Sequence, residues 1–192
     1  MSSFVLSPSG YLELFIGPMY SGKTSKLIDL YKQIQLVLGI KCLVINYEDD
    51  KRYSDTELST HDGVQIPCLQ LKNLLDTEDF AQRLEEAQVI LINEGQFFEG
   101  LYDFVTTSVN KGKHVYIAGL DGDFRRQKFG EILDLIPHSD KVTKLTAFCM
   151  SCRNGTPAIF SHRKECSGTD KQIFIGNTTY EPLCRKCYML KT

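Results

Sequence analysis

The stretch that most limits how this chain can fold is GPMYSGKT, from Gly17 to Thr24. It fits the pattern G-x-x-x-x-G-K-[ST] and follows an apolar stretch, Tyr11–Ile16. Apolar residues recur at helical spacing after it, over Lys23–Leu38, and Gly39 is the expected end of that helix. A strand, a glycine-rich turn and a helix in this order aim backbone N–H groups and a helix N-terminus at one point. The sequence therefore predicts a phosphate-binding loop in an α/β domain.

Within this loop the Lys23 ammonium is expected to reach the β- and γ-phosphates of a nucleotide, and the Thr24 hydroxyl to bind Mg²⁺. The motif alone does not separate a kinase from a GTPase or a motor. The predicted phosphate-binding residues are Gly17, Pro18, Met19, Tyr20, Ser21, Gly22, Lys23 and Thr24.

Short apolar runs alternate with helical stretches along the rest of the first three quarters of the chain. Because parallel strands need helical crossovers, this alternation favours an α/β fold, with a parallel sheet covered by helices on both faces. A polar loop is expected over Glu48–Thr60. The predicted strands are Lys41–Tyr47, Val89–Ile92, Val115–Leu120 and Lys141–Ala147, and the further helices are Thr77–Ala87 and Leu101–Asn110.

The strand Val89–Ile92 runs directly into polar residues, Asn93 and Glu94. In phosphate-loop proteins a second strand often ends in an acidic residue that holds Mg²⁺. Glu94 is also placed to accept a proton from a substrate hydroxyl, as a general base. The structural alternative is that Glu94 caps a helix beginning near Gly100.

Two C-x-x-C pairs, Cys149/Cys152 and Cys184/Cys187, predict a structural zinc site with four thiolate ligands. Four sulfur ligands fill the zinc coordination, so no open catalytic position is expected. The spacer, residues 153–183, is longer than the roughly 15–20 residues usual for this pattern, which implies a long loop between the pairs. The alternatives are a redox role for either pair, or ligation by His162 and Cys166. Cys42, Cys68 and Cys166 are otherwise interpreted as packing or incidental residues.

The segment LDGDFRRQKFG, Leu120–Gly130, follows an apolar strand, at the edge where open α/β sheets bind ligands. Phe124 and Phe129 are candidates to sandwich a flat base, and Arg125 or Arg126 to approach phosphate. The alternative is that the phenylalanines belong to the core and the arginines to a solvated face. The same choice applies to Met19, Phe97 and Tyr180.

Composition excludes several classes of protein. The chain has 192 residues, a formal net charge of −2 and an isoelectric point near 6.1, which disfavours direct nucleic-acid binding. It has no apolar run of the roughly 18–20 residues that span a membrane, and no secretory leader is expected. Seven cysteines without a leader indicate a reducing compartment, hence a cytoplasmic location and metal binding rather than disulfides.

Taken together, GPMYSGKT, NEGQFF, LDGDFRRQKFG, CMSC and CRKC resemble, in order and spacing, the zinc-containing thymidine kinases of animals, many bacteria and large DNA viruses. The resemblance runs almost from end to end. It implies transfer of the ATP γ-phosphate to the 5′-hydroxyl of thymidine with Mg²⁺. It also implies a nucleotide-binding domain over residues 1–147 and a zinc lobe with a lasso loop over residues 148–192. The resemblance further implies a homotetramer and feedback inhibition by thymidine triphosphate (dTTP). It also implies a cytoplasmic location, which is the host cytoplasm if the chain is viral.

The resemblance also implies residue roles. Glu94 is the base for the 5′-hydroxyl, and zinc is held by Cys149, Cys152, Cys184 and Cys187. Besides the phosphate loop, the ATP-binding residues are Asp50, Arg52, Asn93 and Gln96. The thymidine pocket is formed by Met19, Phe97, Leu120, Phe124, Phe129 and Ser161, and is closed by the lasso-loop residues Ile173, Phe174, Ile175, Gly176 and Tyr180.

The chief departure from the family is Asn93, where the family pattern D-E-G-Q-F-F has aspartate. An asparagine keeps an oxygen ligand but loses a charge, so we expect an active enzyme with a raised demand for Mg²⁺. One alternative is an inactive or regulatory nucleotide-binding relative. Two others are a zinc-ribbon nucleic-acid motor and a kinase of another nucleoside such as deoxyuridine.

Overall fold

The computed structural model describes residues 6–48, 57–59, 63–74, 78–164 and 180–191. Several residues with predicted roles lie outside these ranges. They are Asp50, Arg52, Cys166, Ile173, Phe174, Ile175 and Gly176.

The described residues form twelve strands and four α-helices. In chain order the strands are β1 (Tyr11–Ile16), β2 (Cys42–Tyr47), β3 (Glu57–Ser59), β4 (Gln65–Pro67), β5 (Leu69–Leu71), β6 (Val89–Ile92), β7 (His114–Gly119), β8 (Lys141–Lys144), β9 (Ala147–Phe148), β10 (Pro157–Ala158), β11 (Phe160–Arg163) and β12 (Tyr180–Leu183). The α-helices are α1 (Lys23–Tyr31), α2 (Glu78–Glu86), α3 (Leu101–Asn110) and α4 (Arg185–Lys191).

Six strands form one parallel sheet in the order β5-β2-β6-β7-β1-β8. Because all six run the same way, their carboxyl ends share one edge, and the loops that follow β1, β6 and β7 meet there. The predicted parallel sheet is confirmed. The sheet therefore brings the phosphate loop and the residues after Ile92 to a common edge.

Helices cover both faces of the sheet, as predicted. Alternate residues of a strand point to opposite faces. Ile90 and Ile92 accordingly pack with α2 and α3, while Leu91 packs with α1. The helix predicted over Lys23–Leu38 is present, but its second half, Lys32–Val37, is a π-helix.

The expectation of a loop over Glu48–Thr60 is wrong for Glu57–Ser59, which forms β3 and pairs antiparallel with β4. Its single apolar residue, Leu58, is buried in the same cluster as Ile66. One buried residue between two polar ones is too short a pattern to signal a strand. The edge strand β5 and a 3₁₀ helix over Ile132–His138 were likewise not predicted.

The C-terminal residues have an apolar cluster of their own. Strand β9 pairs with β10 and β11 with β12, both antiparallel, and α4 follows directly after Cys184. The cluster consists of Ala147, Cys149, Ala158, Leu183, Cys184, Cys187 and Tyr188. No helix among the described residues combines the length and the apolar character needed to cross a membrane.

Candidate active site

The phosphate loop leaves β1 and enters α1 through a turn that needs unusual backbone angles. Gly22, at the helix N-cap, has φ 81°, and Tyr20 has φ 61°. Inside the turn the Pro18 carbonyl oxygen accepts hydrogen bonds from Lys23 Nζ (2.7 Å) and Ser21 Oγ (2.8 Å). Lys23 is only 8% exposed. Its ammonium is therefore held within the loop, next to the N-terminus of α1, where an anion is favoured.

The predicted magnesium ligands lie together at this edge. Thr24 Oγ1 donates a 3.2 Å hydrogen bond to Asn93 Oδ1, which joins the first turn of α1 to the end of β6. The donor set fits Mg²⁺, because that ion prefers oxygen ligands and both atoms are oxygens. The Asn93 amide nitrogen in turn donates to Asn46 Oδ1, at 2.8 Å. Asn46, after the apolar run of β2, was missed, although it shows the same sequence signal as Asn93: a polar residue ending a buried strand.

Glu94 takes a left-handed backbone conformation, φ 56° and ψ 41°, at the start of a short 3₁₀ helix, Gly95–Phe97. Gln96 Nε2 donates a 2.7 Å hydrogen bond to Glu94 Oε2. The alternative in which Glu94 caps α3 is wrong, because the N-cap of that helix is Gly100 and no side-chain bond closes it. The carboxylate thus lies at the sheet edge beside Asn93.

Both the nitrogen and the oxygen of the Gln96 side-chain amide are hydrogen-bonded. Its Oε1 accepts a 2.9 Å hydrogen bond from the backbone N–H of Leu120, after β7. A Cβ atom on Gly119 would lie 2.6 Å from Gln96 Oε1, and one on Gly130 would lie 2.2 Å from the Gln96 carbonyl oxygen. Position 130 needs glycine, because the Gln96 backbone approaches it too closely for a side chain, whereas a side chain at position 119 would displace the Gln96 amide. The structure thus places this predicted ATP-binding residue against the Glu94 carboxylate.

The aromatic residues of the predicted base pocket fall into two groups. Phe97 and Phe129 are in edge-to-face contact, with ring centroids 5.3 Å apart, and Tyr47 packs on Phe97 at 5.0 Å. Phe124 instead lies under the Arg163 guanidinium, at 3.7 Å, and its carbonyl oxygen accepts a 2.6 Å hydrogen bond from Tyr188. Phe124 therefore contacts the C-terminal residues.

The turn carrying Phe124 is held by a buried carboxylate that sequence reasoning missed. Asp123 Oδ1 accepts hydrogen bonds from the backbone N–H groups of Arg125 (2.8 Å) and Gln127 (2.9 Å). Both arginines of the segment are exposed. The guanidinium of Arg125 lies 5.0 Å from the Phe124 ring and that of Arg126 lies 4.9 Å from the Tyr188 ring.

Ser161 connects the C-terminal residues to the phosphate loop. Its buried Oγ accepts a 3.0 Å hydrogen bond from the backbone N–H of Met19. Two predicted pocket residues are therefore in direct contact. Leu120 lies half-buried at the end of β7, and Tyr180 lies half-buried at the start of β12, opposite Arg163.

The four predicted zinc ligands converge. The Sγ atoms of Cys149, Cys152, Cys184 and Cys187 all lie within 4.8 Å of one another. Burial acts to raise the pKa of Cys149, but hydrogen bonds from neighbouring backbone N–H groups outweigh it and lower the pKa to about 6, while hydrogen bonds with the Cys187 and Cys184 thiols raise the pKa of Cys152 to about 12. A thiolate is the form that binds zinc. The alternative ligand His162 lies against Glu181, with Nδ1 and Oε1 3.4 Å apart, and is not part of this cluster.

Comparison with known proteins agrees with this geometry. The family model described as "Thymidine kinase" matches residues 10–188. The chain is 42% identical over 182 residues to the thymidine kinase of Monkeypox virus, covering 94% of this chain and 97% of that protein. It is 42% identical over 179 residues to the thymidine kinase of Myxoma virus (strain Uriarra), covering 93% and 96%.

Among solved structures, domain III of the Thermotoga maritima replication initiation protein DnaA superposes with a TM-score of 0.44 at 17% identity, over 72% of this chain and 56% of that one. The sequence matches, in contrast, extend over nearly the whole chain at high identity. This chain belongs to the thymidine kinase family.

Proposed function

We propose that the protein is an ATP-dependent thymidine kinase, which transfers the γ-phosphate of ATP to the 5′-hydroxyl of thymidine to give dTMP in nucleotide salvage. The observation that carries the proposal is the meeting of the phosphate loop, Asn93 and Glu94 at one sheet edge, in a chain that matches the family over residues 10–188. These groups supply what phosphoryl transfer needs: a phosphate cradle, oxygen ligands for a metal and a base.

In the proposed mechanism, Glu94 takes the proton of the 5′-hydroxyl as that oxygen attacks the γ-phosphorus. The bond from the γ-phosphorus to the bridging oxygen breaks, and ADP leaves with that oxygen. Lys23 and the backbone N–H groups of Gly17–Thr24 hold the phosphates. Mg²⁺, when bound with ATP, neutralises phosphate charge, and Thr24 Oγ1 and Asn93 Oδ1 are the oxygens that would hold it.

The remaining site residues are proposed in the roles that the family implies. Zinc is structural, Asp50 and Arg52 bind ATP, and Gln96 acts at the ATP site by orienting the Glu94 carboxylate. Thymidine is held by Met19, Phe97, Leu120, Phe124, Phe129 and Ser161, under a lasso loop that includes Ile173, Phe174, Ile175, Gly176 and Tyr180. The packing of Phe97 against Phe129 supports this pocket.

The test is a comparison of substrates. Purified protein is incubated with Mg²⁺-ATP and, separately, thymidine, deoxyuridine, deoxycytidine or deoxyguanosine, and the nucleoside monophosphates are measured. We expect dTMP to form fastest and to be lost in Glu94→Ala. ATP binding without any product would instead support the alternative that the protein binds nucleotide but is inactive, with Asn93 as the cause of the lost activity.

We further propose a cytoplasmic homotetramer inhibited by dTTP, divided into domains over residues 1–147 and 148–192. Three consecutive apolar residues at the end of the first helix are exposed and support a subunit interface: Leu36 (68%), Val37 (77%) and Leu38 (52%). Light scattering after size-exclusion chromatography measures the oligomer. A monomer at micromolar concentration would contradict it.

A further inference from the structure

We propose that Asn46 is a positioning residue, which orients the Asn93 amide so that its oxygen, and not its nitrogen, faces the metal–nucleotide site. The inference rests on the proposed function, since it concerns the binding of Mg²⁺ with a nucleotide. It assigns a role to a residue outside the predicted site.

The geometry is a directed series of hydrogen bonds across three neighbouring strands. Thr24 Oγ1 donates to Asn93 Oδ1 at 3.2 Å, and Asn93 Nδ2 donates to Asn46 Oδ1 at 2.8 Å. Asn46 Nδ2 donates in turn to Gln70 Oε1 at 3.0 Å, on β5, where the two residues are in register. Every amide therefore turns its oxygen toward the phosphate loop and its nitrogen away from it.

Burial makes this direction matter. Asn46 and Asn93 are each 2% exposed, so water does not readily replace a lost partner. An amide carries an acceptor at one end and two donors at the other. If the oxygen at position 46 were removed, Asn93 could rotate by half a turn and aim its NH₂ group at Thr24 and the metal. A cation is held by the oxygen and repelled by the NH₂ group, so the rotation would weaken metal binding.

The aspartate of the family pattern would not need this help, because both ends of a carboxylate are oxygens. A carboxylate at position 93 would, however, place one oxygen against Asn46 Oδ1, and Asn46 would have to rotate by half a turn to donate from Nδ2 instead. Asn46 and Asn93 are thus coupled: the amide at position 93 depends on an acceptor at position 46, and a carboxylate does not.

The experiment measures Mn²⁺ binding to the protein in the presence of ADP, by electron paramagnetic resonance, so that the readout does not require turnover. In Asn46→Leu we expect the Mn²⁺ dissociation constant to rise about tenfold, the lower end of typical effects for residues that orient metal ligands. Asn46→Asp keeps an acceptor oxygen at this position and should retain wild-type affinity or exceed it. Gln70→Leu removes only the far end of the series, and Asn46 Nδ2 keeps a second acceptor, the Tyr47 carbonyl oxygen at 3.5 Å, so the constant should change less than about twofold.

The second arm is a double-mutant cycle. In an Asn93→Asp background, Asn46→Leu should no longer weaken Mn²⁺ binding, because a carboxylate has no wrong orientation. Circular dichroism confirms folding, and Asn46→Ala replaces Asn46→Leu if leucine prevents it.

Each result has a distinct meaning. Wild-type protein that binds no Mn²⁺ with ADP would contradict the proposed metal site itself. Wild-type binding with unchanged affinity in Asn46→Leu would overturn the role of Asn46 alone. Equal losses in Asn46→Leu and Asn46→Asp, or a loss that persists in the Asn93→Asp background, would show that Asn46 is only structural.

Discussion

Gln96 joins the Glu94 carboxylate to the end of β7: its Nε2 donates to Glu94 Oε2 at 2.7 Å, and its Oε1 accepts from Leu120 N at 2.9 Å. Gln96 is 3% exposed, and its side-chain amide makes both of these bonds. The position of the proposed base therefore depends on the strand that leads into the pocket segment Leu120–Gly130.

We expect Gln96→Leu to lower kcat by about 10- to 100-fold while the Kd for ATP stays within about twofold, because only the orientation of Glu94 is lost. Steady-state kinetics and calorimetry separate the two quantities. Gln82→Leu is the matched control, since Gln82 makes a similar bond to Glu86, at 3.2 Å, on an exposed helix surface. Weaker ATP binding with normal kcat would instead support direct contact of Gln96 with ATP.

The bond from Met19 N to Ser161 Oγ, 3.0 Å long, links the phosphate loop to β11. Ser161→Ala leaves the half-buried Met19 N–H without this acceptor, at a cost of about 1 kcal/mol. We expect KM to rise several-fold for both ATP and thymidine, whereas Ser161→Thr, which keeps the hydroxyl, should stay near wild type. An effect on the thymidine KM alone would mean that Ser161 serves only the nucleoside.

The converging thiols predict one zinc ion per chain. Metal analysis should show that Cys187→Ser loses most of this zinc and that Cys42→Ser, outside the cluster, retains it. Thermal unfolding should shift several degrees lower in Cys187→Ser, because metal binding contributes to the stability of the lobe. Full zinc content in Cys187→Ser would contradict four-cysteine ligation.

Two thiols outside the cluster predict a loss of stability in alkali. Burial raises the pKa of Cys42, and that of Cys68, from an ordinary 9.0 to about 12. The unfolded chain releases these protons above about pH 9, whereas the folded chain retains them until about pH 12. The stability they contribute is therefore complete below about pH 9 and declines as the pH rises toward 12.

The measurement compares Tm at about pH 8 and about pH 10.5. The Cys42→Ala, Cys68→Ala double variant should lose less Tm over this interval than wild type. Both proteins keep the four clustered thiols, whose titration cancels in the comparison. Equal losses would mean that Cys42 and Cys68 do not govern the alkaline response.

The apolar runs made most of the parallel sheet predictable, because strands such as Val89–Ile92 are buried on both faces. The shared edge for Thr24 and Asn93 followed from the parallel arrangement. The contact between Asn93 and Asn46 did not, because it requires β2 and β6 to be neighbours, and strand order is not encoded in local periodicity. Short strands such as β3 could not be predicted from the sequence either, because a single buried residue shows no periodicity. The bond from Met19 N to Ser161 Oγ joins residues far apart in the chain, and no motif connects them.

The left-handed backbone at Glu94 affects which residues directed evolution would select at this position. A side chain held there costs roughly 1–2 kcal/mol relative to the same residue in a relaxed conformation, and glycine or asparagine would pay less. A library selected for heat resistance alone should therefore discard Glu94 early, whereas one selected for growth on thymidine should keep it. At position 94, selection for thermal stability and selection for catalytic activity therefore favour different residues.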